Sequence, residues 1–191
     1  MRLRIHRSDG KTGHYSQDDG DRIGVLVKRL DPELVFCSGP IAIGVHNPVN
    51  VLNPNEICWI EVDTTLPTRK ALPQDVDQVI RLPGREQYES LLAKRWPLWM
   101  KFRKGKKGDP LEALVELSLT SGEAVFLHIV GRVSRSNIVQ EVFGARAICA
   151  TFHPNGTIYI NPKTITRARI YHSKDRISND SGLWMVDADD I

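Results

Sequence analysis

Apolar and polar residues alternate along several short stretches of this chain, and this period of two predicts β-strands. Residues 2–8 place Leu3 and Ile5 on one face. Asp9-Gly10 follows them, a pair suited to the positive-φ positions of a tight turn. We therefore expect residues 11–16 to return as the second strand of a hairpin.

A helical spacing follows this predicted hairpin. Ile23, Leu26, Val27 and Leu30 stand at i, i+3, i+4 and i+7, which is one face of a helix. Asp31-Pro32 predicts its end, because the residue before a proline disfavours helical backbone. Strands are then predicted at 41–45, 50–52 and 56–62.

The second half of the chain repeats this order of elements. A strand pair is predicted around the turn Thr120-Ser121-Gly122, with strands at 114–119 and 124–130. Asn137 can cap a short helix that ends at Gly144. Strands are then predicted at 147–152, 157–160 and 164–171.

Two Asn-Pro pairs support an internal repeat. Asn53-Pro54 and Asn161-Pro162 lie 108 positions apart. Each follows two apolar residues, and an isoleucine stands three positions after each proline. The shared shift and order of elements favour an internal duplication. Few positions are identical between the two copies, so chance convergence on the same turn residues is the alternative. The Asn-Pro pair is a turn element rather than a binding motif.

The sequence thus predicts a strand-rich α+β fold with two similar ββαββ units, in mainly antiparallel or small barrel-like sheets. The first unit covers residues 1–64 and the second covers 97–172. Residues 65–96 are expected to form a proline-bearing connector with one helix at 85–96, which Pro97 ends. Residues 173–191 are expected to be a mobile acidic tail, although its apolar residues 183–186 could dock on a groove or on another subunit.

Composition narrows the class of protein. The 191 residues are 41% hydrophobic and 26% charged, as in globular proteins, and no stretch is apolar for long enough to span a bilayer. Three widely spaced cysteines favour reduced thiols over a disulfide framework. We expect a cytoplasmic protein.

The positive charge is concentrated in residues 94–108, which we call the basic segment. It has seven basic residues and no acidic one, and removing these seven from the 26 basic residues leaves 19 against 23 acidic ones. Its cations and aromatic rings predict contacts with nucleic acid, because cations displace counterions from phosphates and rings stack on bases. The candidate residues are Lys94, Arg95, Trp96, Trp99, Lys101, Phe102, Arg103, Lys104, Lys106 and Lys107.

Two other interpretations of the basic segment stay open. The same residues suit an anionic membrane surface. Alternatively, residues 98–102 form a strand, 105–109 a hairpin loop and 111–117 the return strand, with lysines that are only solvated. In the last predicted strand, Arg167, Arg169 and Tyr171 share a face. This face could extend a polyanion site, or it could be an ordinary solvated strand face.

No motif predicts catalysis, a cofactor or a metal. The six histidines form no local ligand pair, and no nucleophile elbow or phosphate-binding glycine loop is present. We therefore expect a non-enzymatic binding or regulatory protein that binds nucleic acid. The alternative is a protein-interaction module that forms a homodimer through strand edges or its tail, and an enzyme whose site is assembled from distant residues is a third hypothesis.

Overall fold

A computed structural model describes residues 1–44, 49–101, 105–133 and 144–173. Within these ranges the α-helices are α1 (Gly20–Arg29) and α2 (Arg85–Lys101). The strands are β1 (Arg2–Arg7), β2 (Thr12–Ser16), β3 (Ile41–Ile43), β4 (Asn50–Leu52), β5 (Ile57–Asp63), β6 (Val76–Leu82), β7 (Pro110–Leu119), β8 (Ala124–Arg132), β9 (Ile148–His153), β10 (Gly156–Ile160) and β11 (Ile165–His172). Single 3₁₀ turns, Pro54–Glu56 and Pro162–Thr164, precede β5 and β11.

Nine of these strands form one sheet in the order β11-β7-β8-β6-β9-β10-β5-β1-β2, and β3 pairs with β4 separately. All pairs are antiparallel except β6 with β9. The expectation of a strand-rich fold with mainly antiparallel pairing is confirmed, and the large sheet is mixed. Within the described ranges no helix is both long and apolar enough to cross a membrane.

The predicted connector is wrong in one respect, because it contains β6. This strand lies between β8 and β9 in the middle of the sheet rather than over the surface. Its sequence, with Val79 and Ile80 adjacent, lacks the clear alternation that marks the other strands.

The prediction that Pro97 ends the second helix is also wrong. α2 continues through Pro97 to Lys101, so residues 98–101 are helical and not the strand of the alternative interpretation. Proline lacks the N–H that would bond to the carbonyl of Ala93, but Trp99 beyond it is 5% exposed in a core cluster. This buried contact favours continuation of the helix. The predicted helix at 137–144, apart from Gly144, and the tail beyond Ser173 lie outside the described residues.

Three strands of each predicted unit are arranged alike, as β2-β1-β5 in residues 1–64 and β8-β7-β11 in residues 97–172. Their turns use matching hydrogen bonds. Gly10 N donates to Arg7 O at 3.0 Å and Gly122 N to Leu119 O at 2.9 Å. A second matching pair joins Ser8 N to Glu56 O at 2.8 Å and Thr120 N to Thr164 O at 2.9 Å.

The units differ in what covers these strands. Second-unit side chains such as Val115 and Leu117 dominate the largest core cluster, which also receives Cys58 and Trp59. A separate cluster packs Ile5 and Ile60 against Leu30 and Phe36, which follow α1. α2 covers a third cluster that includes Tyr88 and Trp99. The Ile5 cluster also includes Ala147, Cys149 and Tyr159 from the second half of the chain. The sheet is therefore shared, and so are the two larger core clusters.

Candidate nucleic-acid interface

The basic segment lies on the C-terminal half of α2 and on the loop that leads to β7. Lys94, Arg95, Trp96, Trp99 and Lys101 are on the helix, and Lys106 and Lys107 are on the loop. The loop is anchored to the end of β8, since Gly108 N donates to Val133 O at 2.9 Å. Phe102, Arg103 and Lys104 lie outside the described residues.

The two tryptophans of the basic segment pack against the sheet. Trp99 is 5% exposed and belongs to the same core cluster as Tyr88 and Leu114. Trp96 is half-buried and meets the ring of Tyr171 edge to face, with centroids 5.2 Å apart. Trp99 therefore cannot stack on a base, contrary to expectation, because the helical period turns it toward the sheet.

The cations have two different environments. Arg95 Nε lies 3.2 Å from Glu112 Oε1, which also lies 2.8 Å from Nε2 of His128. Lys94, Lys101, Lys106 and Lys107 are exposed, and no ion pair joins them to a carboxylate of the described residues. These four lysines, which we call the lysine set, can approach a phosphate chain without first leaving a protein partner.

The arginine face of β11 is partly neutralised. Arg169 Nη1 lies 3.5 Å from Glu116 Oε2, and Arg85 Nη2 lies 2.8 Å from Glu116 Oε1. Tyr171 is engaged with Trp96. Of the predicted basic-aromatic face, Arg167 is the exposed cation without an ion pair to a described carboxylate.

Sequence reasoning missed a buried polar cluster around Glu61, which is 4% exposed. Arg81 Nη1 donates to Glu61 Oε1 at 2.7 Å, Arg4 contacts the other oxygen, and His6 Nε2 lies 3.7 Å from Oε1. The His6 ring stacks on Trp59 with centroids 4.1 Å apart. Burial lowers the pKa of His6 to about 4, although Glu61 opposes the shift. The imidazole is therefore neutral at neutral pH.

The signal for this cluster was a glutamate within an otherwise apolar strand, Ile57–Asp63. A buried carboxylate needs cationic partners, but strand alternation does not reveal which arginines supply them. In the described ranges no group of three or more His, Cys, Asp or Glu side chains is placed to hold a metal ion.

Comparison with known proteins gives no assignment. No family model matches the chain, and no curated protein or solved structure is significantly similar to it. What supports a function is therefore the chemistry of the surfaces just described.

Proposed function

We propose that this chain is a non-enzymatic binding protein that holds nucleic acid through the phosphate backbone, using the lysine set. The observation that carries the proposal is the exposure of these four lysines within a segment that contains no carboxylate. Lysines that approach phosphates release condensed counterions, and this release supplies sequence-independent affinity. Because Trp99 is buried, base stacking is not part of the proposal for that residue.

The proposal predicts a strong salt dependence that falls when the lysine set is removed. We would measure anisotropy of labelled single- and double-stranded oligonucleotides over a salt series. Replacing Lys94, Lys101, Lys106 and Lys107 by Gln should reduce the slope of log affinity against log salt by up to about 3, since each phosphate contact contributes roughly 0.7–0.9.

A matched control separates this surface from net charge. Lys11, Lys28, Lys70 and Lys163 are also exposed and lie elsewhere in the chain, although Lys11 Nζ lies 3.7 Å from Asp9 Oδ2. Replacing these four by Gln removes the same charge and should leave the slope nearly unchanged. Equal losses in the two variants, or no binding by the unaltered chain at low salt, would reject the proposal.

A second candidate for the same surface is an anionic membrane. Leu98 and Met100 are each 50% exposed beside the lysine set, and aliphatic side chains with cations suit a headgroup region. Sedimentation with vesicles of phosphatidylserine and phosphatidylcholine tests it. Binding to vesicles that is lost in Leu98→Ser, without oligonucleotide binding by the unaltered chain, would favour the membrane.

The homodimer alternative depends on open strand edges. β2 and β11 each have one neighbour in the sheet. β11 carries Arg167 and Arg169, whose charges protect an edge from pairing, whereas β2 carries no acidic or basic residue other than His14. The β2 edge is therefore the better candidate, and a concentration series by light scattering tests it, because a monomer at every concentration contradicts this alternative.

We also infer that the two units arose by internal duplication. The matching strand order supports this, as do the matching hydrogen bonds of Gly10 and Gly122. The pairing of β1 with β5 and that of β7 with β11 also shift register near the first residues of β5 and β11. The residues skipped by the two registers are Cys58 and Thr166, which are 108 positions apart. Sequences of homologues test it: duplication predicts Asn-Pro before both last strands, and unrelated residues at one of them would contradict it.

A further inference from the structure

A groove of about 1230 Å³ opens between the β1–β2 hairpin, α1 and β3. Leu3, Ile5 and Tyr15 form one wall, Leu26 of α1 forms another, and Ile41 and Ile43 form a third. Ligand sites are commonly apolar concavities of roughly 300–1,000 Å³ with a few polar groups. This groove has that character and lies on the opposite side of the sheet from the Glu61 carboxylate.

α1 borders the groove without being buried by the fold. The helix is amphipathic, yet none of its residues is buried, and Val25, which lines the groove, is 54% exposed. Ile23, Leu26 and Val27 belong to none of the core clusters. Since helices in proteins are stabilised mainly by packing their apolar faces, a ligand in the groove would complete the packing of Leu26 and Val25.

The corresponding side of the second unit is filled by protein. Val115 and Leu117 occupy the positions of Leu3 and Ile5, and they are 2% and 0% exposed within the largest core cluster. Ile5 is also buried, at 2% exposed, whereas Leu3 is only partly buried. The open volume is therefore a property of the first unit and not of the shared strand arrangement.

The charges along the groove favour an anion. Arg22, Lys28 and Arg29 of α1 line it, against Asp21 as the acidic residue of the same helix. Within the described residues these three cations form no ion pair. An apolar floor with cations on one wall is complementary to an aliphatic chain with an acidic head.

We propose that this groove binds a linear anionic amphiphile, with its aliphatic chain against Leu3, Ile5, Leu26 and Ile41 and its head beside Arg22 and Arg29. The site is independent of the lysine set on α2. A second copy of the chain, or residues 183–186 of its own sequence, would be other occupants of the same apolar surface, and the experiment distinguishes them.

Calorimetric titration of the full chain tests the proposal with three probes below their micellar concentrations. Laurate has the chain and the anionic head, dodecyltrimethylammonium has the same chain with a cationic head, and acetate has the head alone. Laurate should bind at least about tenfold more tightly than the cationic probe, and acetate should give no heat.

Two variants locate the binding. Arg22→Gln with Arg29→Gln should weaken laurate binding about tenfold, and Val25→Asp should weaken it further through repulsion inside the groove. Since all three positions are exposed, folding should be retained and circular dichroism checks it. The matched control is Lys70→Gln with Arg132→Gln, two exposed cations outside the groove, which should bind laurate normally.

Four results would overturn the proposal: no laurate binding, equal binding of the two head groups, equal binding by the groove and control variants, or another occupant. A mass in light scattering that is doubled and returns to that of a monomer in Val25→Asp would assign the groove to a second copy. The chain has four tryptophans, so the tail is tested with Trp184→Phe. A tryptophan emission maximum that shifts to the red in Val25→Asp but not in Val25→Asp with Trp184→Phe, in a chain that does not bind laurate, would assign the groove to residues 183–186.

Discussion

The two units build the same three-stranded arrangement and use it differently. In the second unit, β8-β7-β11 buries the apolar residues of its central strand, as at Leu117, which is 0% exposed. In the first unit, the equivalent face of β2-β1-β5 borders an open groove and a helix with no buried residue. Matching turns and registers therefore do not ensure matching cores, because side chains from other elements decide how each face is covered.

Truncation of equivalent core residues should show this difference most strongly. Leu117→Ala should lower the free energy of unfolding by about 3–5 kcal/mol, because it leaves a closed cavity. Ile5→Ala should cost less, about 2–3 kcal/mol, because Ile5 is 2% exposed but borders the groove, so less of the lost volume becomes an enclosed cavity. Urea denaturation measures both, and an equal cost at the two positions would contradict the contrast between a filled and an open core.

His6 of the Glu61 cluster should make the free energy of unfolding depend on pH. The second unit has Ser118 at the position that matches His6, and serine does not titrate in this range. His6 has a pKa of about 4 in the folded protein and 6.5 as its ordinary value, so between these values the unfolded chain binds a proton that the folded chain does not. The contribution of His6 to the free energy of unfolding should therefore be fully present above pH 6.5. It should be lost as the pH falls toward 4, which lowers the free energy of unfolding by up to about 3 kcal/mol.

Denaturation at a series of pH values measures this loss, and His6→Gln is its control. Carboxylates such as Glu61 also titrate at the acidic end, so the difference between the two chains isolates His6. A variant with the same slope between pH 6.5 and 4.5 as the unaltered chain would show that the imidazole is not buried as described.

The two Asn-Pro turns should differ by a smaller amount. Asn161 is 1% exposed and its Nδ2 donates to Pro54 O at 3.1 Å and to Ile57 O at 3.0 Å, whereas exposed Asn53 accepts one bond from Asn55 N at 3.1 Å. Asn161→Ala should cost about 2 kcal/mol because buried carbonyls lose donors. Asn53→Ala should cost about 1 kcal/mol, as for loss of a cap. Thermal unfolding of both variants checks the order, and a larger effect at Asn53 would reverse it.

The hairpin glycines should give the smallest effect and the same one in both units. Gly10 has a φ of 76° and Gly122 a φ of 83°, and a Cβ would meet no atom within 4 Å at either position. Alanine at either position should therefore lower the free energy of unfolding by about 1 kcal/mol, the cost of placing a side chain in the left-handed backbone conformation. Chemical denaturation that gave clearly unequal costs would show that the turns are not equivalent.

Local pattern predicted the hairpins and the first helix well. Asp19 caps α1 by accepting from Arg22 N at 3.0 Å, and the strand pairs form around the glycine turns that the sequence shows. Local pattern did not predict β6, because the pairing of this strand with β8 and β9 joins residues up to about 70 positions apart. It also failed at Pro97, where burial of Trp99 outweighs the missing hydrogen bond.

The candidate interface divides in the same way. The concentration of lysines in residues 94–108 is a property of the sequence, and their exposure agrees with it. The environment of Arg95 and of Trp96 is not, because it depends on side chains of two strands: Glu112 lies on the strand that follows the helix, and Tyr171 lies on β11, far along the chain. The charge could be predicted, but the stacking surface could not.

By itself the sequence determined the turns, the alternation of the strands and the position of the surplus positive charge, since each depends on neighbouring residues. Only the tertiary structure decided which unit is filled, which tryptophan is buried and that Glu61 has Arg4 and Arg81 as partners. These features depend on which surfaces meet across the sheet, and packing between distant segments fixes that choice.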